Sequence, residues 1–178
     1  GALVLDGVFV GRNRVSAGTG NGGGGVSAYT AEDIFIRNST FSGNQQANSS
    51  GDGGGAMILE NSLPGAPMYV NIEHTTFAEN TDAAGRASAV LCVNEDAIVR
   101  PSYSIYCDKS GRNLDVAGNG AFDSQGANLS DDSTQTSFTQ GGQPGSVILL
   151  DHVTDIVSED ARLSPLALSG DPTPYYEI

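Results

Sequence analysis

Apolar positions along this chain come in short alternating bursts separated by polar, Gly-rich stretches. Asp33-Ile34-Phe35-Ile36 and Tyr69-Val70-Asn71-Ile72 set apolar side chains at every second position. That period belongs to a strand with one buried face. No segment sustains the spacing of an amphipathic helix, and each burst is too short to bury a face alone.

The bursts repeat. Asp33-Ile34-Phe35-Ile36-Arg37-Asn38-Ser39-Thr40-Phe41-Ser42-Gly43-Asn44 lies over Tyr69-Val70-Asn71-Ile72-Glu73-His74-Thr75-Thr76-Phe77-Ala78-Glu79-Asn80 at a spacing of 36 residues. Both end in Phe-x-x-Asn. Leu3-Val4-Leu5-Asp6-Gly7-Val8-Phe9 has the same shape 32 residues earlier, with its Asn13 one residue late. A second motif falls between these. Gly22 to Gly25 lead into Val26-Ser27-Ala28-Tyr29, Gly53 to Gly55 into Ala56-Met57-Ile58-Leu59, and Gly85-Arg86-Ala87-Ser88 into Ala89-Val90-Leu91-Cys92-Val93. Ala97-Ile98-Val99 and Tyr103-Ser104-Ile105-Tyr106 read as a fourth, worn copy.

Repeats of this kind gain a continuous core only by stacking. The expected fold is therefore an all-β parallel β-helix, a solenoid of about three to four coils over residues 1–107, with the degenerate last coil and an irregular, cap-like extended tail over 108–178. Parallel stacking sets equivalent residues about 4.8 Å apart. Phe9, Phe41 and Phe77 are then expected to form an internal aromatic ladder, and Asn44 and Asn80 an amide ladder at a turn. Asn suits that place because its side chain both donates and accepts and tolerates left-handed backbone. The glycines are expected at corners with positive φ. The polar stretches Ser16 to Asn21 and Gln45 to Asp52 read as projecting loops, and Asn61 to Pro67 as a shorter one.

Composition changes this picture little. The hydrophobic share is 38%, low until the 24 glycines are counted with it, and there is no Trp. Small residues in thin layers are implied. The net charge of −13 disfavours nucleic acid and anionic membranes. No apolar run approaches the roughly 18 residues of a membrane span. The chain starts inside a strand without an initiator Met, so a processed or excised segment is expected. Cys92 and Cys107 leave two readings open: one disulfide in an oxidising compartment, or two buried thiols. The sequons at Asn38, Asn48 and Asn128 are what a chain rich in Asn, Ser and Thr contains by chance.

Two resemblances rest on these residues. Gly54-Gly55-Ala56, with Phe41 to Asn44 and Phe77 to Asn80, resembles the repeats of chlamydial polymorphic outer membrane proteins. Gly126-Ala127-Asn128-Leu129, then Asp160-Ala161-Arg162-Leu163-Ser164-Pro165-Leu166 and Ser169-Gly170-Asp171-Pro172-Thr173, resembles the tail of bacterial choice-of-anchor Q proteins. Ala161, Ser164 and Asp171 depart from that pattern, and its usual continuation is missing after Ile178. The resemblance implies a right-handed β-helix in an exported bacterial protein, secreted or on the cell surface, and no particular chemistry.

Candidate chemistry is sparse. A polysaccharide lyase needs a basic residue and carboxylates that hold Ca2+. Arg86, Arg100, Lys109 and Arg112 lie near Asp108 and Asp115 in sequence, which a solvated loop explains as well. A hydrolase needs two spaced carboxylates, for which Asp96, Asp108, Asp115 and Asp123 are available. His74 takes the place of Asn38 in the repeat and reads as a turn residue; His152 stands apart. The Gly22–Gly25 run lacks the Lys-Ser/Thr and helix of a phosphate loop. Thr40 and Thr76 align but do not make an ice-binding array.

The expected function is a non-catalytic structural or adhesive module, assembling end to end with other segments of the same polypeptide or identical copies. Glycans or cell-surface ligands are the outside partners it would meet. No cofactor is expected beyond casual Ca2+. A carbohydrate-active β-helix enzyme is the rival reading.

Overall fold

The alternating bursts become strands of two to seven residues. The computed structural model describes residues 1–16, 22–47, 53–63, 65–93, 96–108, 112–117, 120–132, 135–140, 143–159 and 163. Among these residues every regular element is a strand, and there is no helix and no closed barrel. The tail from Ser164 to Thr173, most of the loop expected from Ser16 to Asn21 and the end of that from Gln45 to Asp52 lie outside the described residues.

The first repeat unit holds β1 Leu3–Asp6, β2 Phe9–Gly11, β3 Arg14–Val15 and β4 Val26–Thr30. The second holds β5 Ile34–Arg37, β6 Thr40–Ser42, β7 Gln45–Gln46 and β8 Met57–Asn61. The third holds β9 Met68–Glu73, β10 Thr76–Ala78, β11 Thr81–Asp82 and β12 Ala87–Val93. The fourth holds β13 Ala97–Ser102, β14 Ile105–Cys107 and β15 Arg112–Ala117. Then come β16 Ala121–Phe122, β17 Leu129–Ser130, β18 Gln135–Gln140, β19 Gln143–Ile148 and β20 Ile156–Val157.

Each unit contributes one strand to each of several sheets. The first sheet runs β1-β5-β9-β13-β16, the second β2-β6-β10-β14-β17-β20, the third β3-β7-β11 and the fourth β4-β8-β12-β15. Every pairing within these four is parallel. Among the described residues only β18 and β19 pair antiparallel, as a hairpin.

The first sheet shows why the alternation works. Ile34 and Ile36 are buried while Phe35 and Arg37 are exposed; Met68, Val70 and Ile72 are buried and Glu73 exposed. These inward residues meet Phe41, Phe77, Leu59, Val90 and Leu114 from the other sheets in one core. Each such side chain contributes roughly 1.5–3 kcal/mol on burial.

Pairing continues into the segment expected to hold the degenerate last coil: five strands line the first sheet and six the second, ending at Val157. Three expectations are corrected. Gln45 and Gln46 are strand, not loop. Phe9 is not above Phe41. It pairs with Thr40, and Val10 takes the place beside Phe41, so the first spacing is 31 residues. With that register Asn13 is not late. Finally, Gly7, Gly43, Gly65, Gly85 and Gly126 do have positive φ, but the runs Gly22 to Gly25 and Gly53 to Gly55 are not the positive-φ corners of the second sheet. Those corners are Gly7, Asn38, His74, Tyr103 and Ala127 before the second sheet, and Arg12, Gly43 and Glu79 after it. The runs instead mark crowding of backbone on backbone. A Cβ on Gly54 would overlap the Met57 carbonyl, and one on Gly24 the Gly55 carbonyl and the Gln45 backbone.

Candidate functional site

The repeated residues build two ladders along the stack. Phe41 and Phe77 stack at 5.0 Å between ring centroids and 12° between planes. Phe77 and Tyr106 stack at 5.1 Å and 9°. The aromatic column is thus Phe41, Phe77 and Tyr106, headed by Val10 rather than Phe9.

Beside it runs the amide ladder. Asn13 donates from both N and Nδ2 to Asn44 Oδ1 at 3.2 and 3.0 Å. Asn44 donates in the same way to Asn80 Oδ1 at 3.0 and 2.9 Å. Asn80 donates to Asp108 Oδ1 at 2.8 and 3.0 Å. The second amide hydrogen of Asn44 goes to the Val10 carbonyl, and that of Asn80 to the Phe41 carbonyl. Asn113 repeats this bond to the Tyr106 carbonyl. Asn44 and Asn80 are fully buried, yet their amides use all their capacity. At the corner before the second sheet, Thr75 N donates to Ser104 Oγ, Ser104 N to Asn128 Oδ1, and Asn128 N and Nδ2 to Asp155 Oδ1.

Sequence reading placed Phe41, Phe77, Asn44 and Asn80 and missed Tyr106 and Asp108. A signal existed: Tyr106 follows Ile105 as Phe77 follows Thr76, and Asp108 is a shape match for Asn. It was obscured because Asp108 comes two residues after the aromatic instead of three.

Three buried groups are electrostatically perturbed. Burial pushes the Asp108 carboxyl up to about 7, against the two bonds from Asn80, and the nearby Asp131 adds to the rise. Burial likewise raises the Tyr106 hydroxyl, which has no hydrogen-bond partner; the nearby Ser104 hydroxyl donates to the Ser102 carbonyl at 2.8 Å. The Cys92 thiol is pushed up to about 12 by burial. Cys92 and Cys107 are both buried and are not joined by a disulfide, so of the two readings left open the structure shows the buried thiols. They sit in different sheets, Cys92 paired with Leu59 and Val116 and Cys107 with Ala78.

The outer face of the first sheet carries exposed charge and aromatic surface. Val4, Phe35, Arg37, Asn71 and Glu73 line a shallow groove of about 350 Å3. Arg37 pairs with Asp6 at 3.0 Å. Asn38 and Arg37 together hold the Asp6 carboxyl below its ordinary range. Arg100 lies 3.9 Å over the Tyr69 ring and bonds Asp123 at 3.1 Å. His74 stacks on Tyr103 at 5.1 Å, both on positive-φ corners.

The charge cluster considered for catalysis is not one cluster. Arg100 and Asp123 belong to the first sheet's outer face, whereas Arg112 pairs with Asp115 on β15 at 3.4 Å. Asp96 Oδ2 accepts from Gly65 N, which fixes a turn. Lys109 lies outside the described residues. His152 bonds Thr154 within a turn. Among the described residues no group of three or more His, Cys, Asp or Glu is placed to hold a metal ion.

No family model, no curated protein and no solved structure matches this chain.

Proposed function

We propose that the four parallel sheets form a right-handed parallel β-helix serving as a non-catalytic structural or adhesive module of a secreted or cell-surface bacterial protein. The observation that carries this reading is the in-register amide ladder from Asn13 through Asn44 and Asn80 to Asp108. Asn44 and Asn80 are residues that repeat, and their hydrogen-bonding capacity is used on the ladder and on the Val10 and Phe41 carbonyls. The right-handed sense follows from the handedness of parallel crossovers. The charged groups of the outer face favour the same reading, since Arg37 and Arg100 are engaged with Asp6 and Asp123. The tail's resemblance to choice-of-anchor Q proteins supports the surface location.

The deciding experiment is turnover of neutral and acidic polysaccharides, with and without calcium, alongside binding of the same glycans. Retention without turnover is expected. Cleavage that disappears in Arg100→Ala or Asp123→Ala would replace this reading with a carbohydrate-active enzyme.

A further inference from the structure

Asp108 occupies the place of an amide. Its Oδ1 accepts from Asn80 N and Nδ2 as Asn80 Oδ1 accepts from Asn44. Its Oδ2 therefore stands where Asn44 and Asn80 carry Nδ2, the atom that donates to the Val10 and Phe41 carbonyls. The carbonyl one unit further along is that of Phe77. Asp108 is 2% exposed, and Oδ2 has no hydrogen-bond partner as a bare carboxylate oxygen. The Ser88 hydroxyl is close but donates to the Arg112 carbonyl at 2.8 Å. A bare buried anion is costly, whereas a neutral acid with one O–H is an isostere of Asn.

We propose that Asp108 is a proton-dependent latch: its carboxyl carries a proton on Oδ2 and donates it to the Phe77 carbonyl, and loss of that proton as pH rises loosens the fourth unit from the third.

The surroundings agree. Asp131, after β17, faces Asp108 as a like charge. Asn80 and Ser88 face it from the third unit and do not titrate. Asn113 accepts from its backbone N at 3.2 Å, and Arg112 is engaged with Asp115. Asp155 supplies a contrast. It ends the other ladder in the same manner, but its Oδ2 accepts from Ser124 Oγ at 2.6 Å and His152 N at 3.1 Å. Burial holds the Asp108 carboxyl at about 7, above the 3.8 of an ordinary Asp, so the folded state keeps a proton the unfolded state has lost. The stability this gives is full below 3.8 and is lost as pH rises towards about 7.

The test is thermal unfolding from about pH 4 to about pH 8 for the wild type, Asp108→Asn and Asp155→Asn, with infrared detection of protonated carboxyl in the wild type. The wild-type melting temperature should fall by several degrees across this range relative to Asp108→Asn. Asp108→Asn should match or exceed the wild type at the upper end. Asp155→Asn should melt lower throughout, because its acceptor is gone. A protonated-carboxyl band should fade near neutral pH and be absent from Asp108→Asn. Parallel pH profiles of wild type and Asp108→Asn, or no band titrating near neutrality, would overturn the proposal. Should Asp108→Asn not fold, the wild-type band still decides.

Discussion

Asn80, like Asn44, makes four side-chain hydrogen bonds in the amide ladder. Its Oδ1 receives two bonds from Asn44, and its Nδ2 gives one to the Phe41 carbonyl and one to Asp108. Removing the amide strands several buried polar groups at once, each costing about 1–3 kcal/mol. Asn80→Ala is therefore expected to lower stability by about 3 kcal/mol or more, read as a shift of the urea midpoint at constant slope. An Asn80→Ala midpoint within error of the wild type would mean the ladder adds no stability. Tyr106 argues in the opposite direction. Its ring stacks on Phe77, but its hydroxyl is buried without a partner. Tyr106→Phe keeps the stack and removes the unpaired group, so a gain of up to about 1 kcal/mol is expected in the same assay. A clear loss would show that the hydroxyl is satisfied in solution.

At the level of the element, the strands were legible, and so was the register of the second unit on the third, but that of the first unit on the second was not. Ile34, Ile36, Val70 and Ile72 alternate strictly, and the structure buries them. Phe9 misled because an aromatic is a louder signal than Val10, although the spacing of 31 residues also aligns Asn13 with Asn44. The Gly runs misled for a physical reason: positive φ and backbone crowding both demand a missing Cβ, and sequence does not separate them. Beyond Cys107 the repeat faded because parallel backbone bonds accept any side chain. Ser130 and Val157 continue the column of Phe41 and Tyr106 without resembling it. The two glycine roles predict different costs. Gly54→Ala drives a Cβ into the Met57 carbonyl and should abolish folding or cost several kcal/mol. Gly65→Ala has φ +88 but open space, so only backbone strain of about 1–2 kcal/mol is expected. Equal losses by calorimetry would refute the crowding argument. Cys92 and Cys107, in separate sheets, should react with a thiol reagent only after unfolding, two per chain; one slow oxidised species without reductant would contradict this.

For the whole molecule, two opposing terms act at the face bearing the first unit. Strands β1, β2, β3 and β4 each pair on one side only among the described residues. Among the described residues that face is a row of sheet edges, with Leu5, Val10 and Val26 packed on the core but partly exposed and Val4 54% exposed. Unpaired edges over apolar side chains favour addition of another strand layer. Against this stands the net charge of −13, which makes two copies repel. The repulsion is screened over about 10 Å at 0.1 M salt, while edge pairing and apolar burial are short-ranged and survive screening. Association through this face should therefore rise with both concentration and ionic strength, the reverse of an interface held by ion pairs. Sedimentation velocity at low and high salt measures it directly. Val10→Asp places a charge at the head of the aromatic column, so it should cut association at every salt while lowering the melting temperature only modestly, Val10 being partly exposed already. A chain monomeric under all conditions, or one whose association weakens as salt increases, would remove end-to-end stacking through β1 to β4 from consideration.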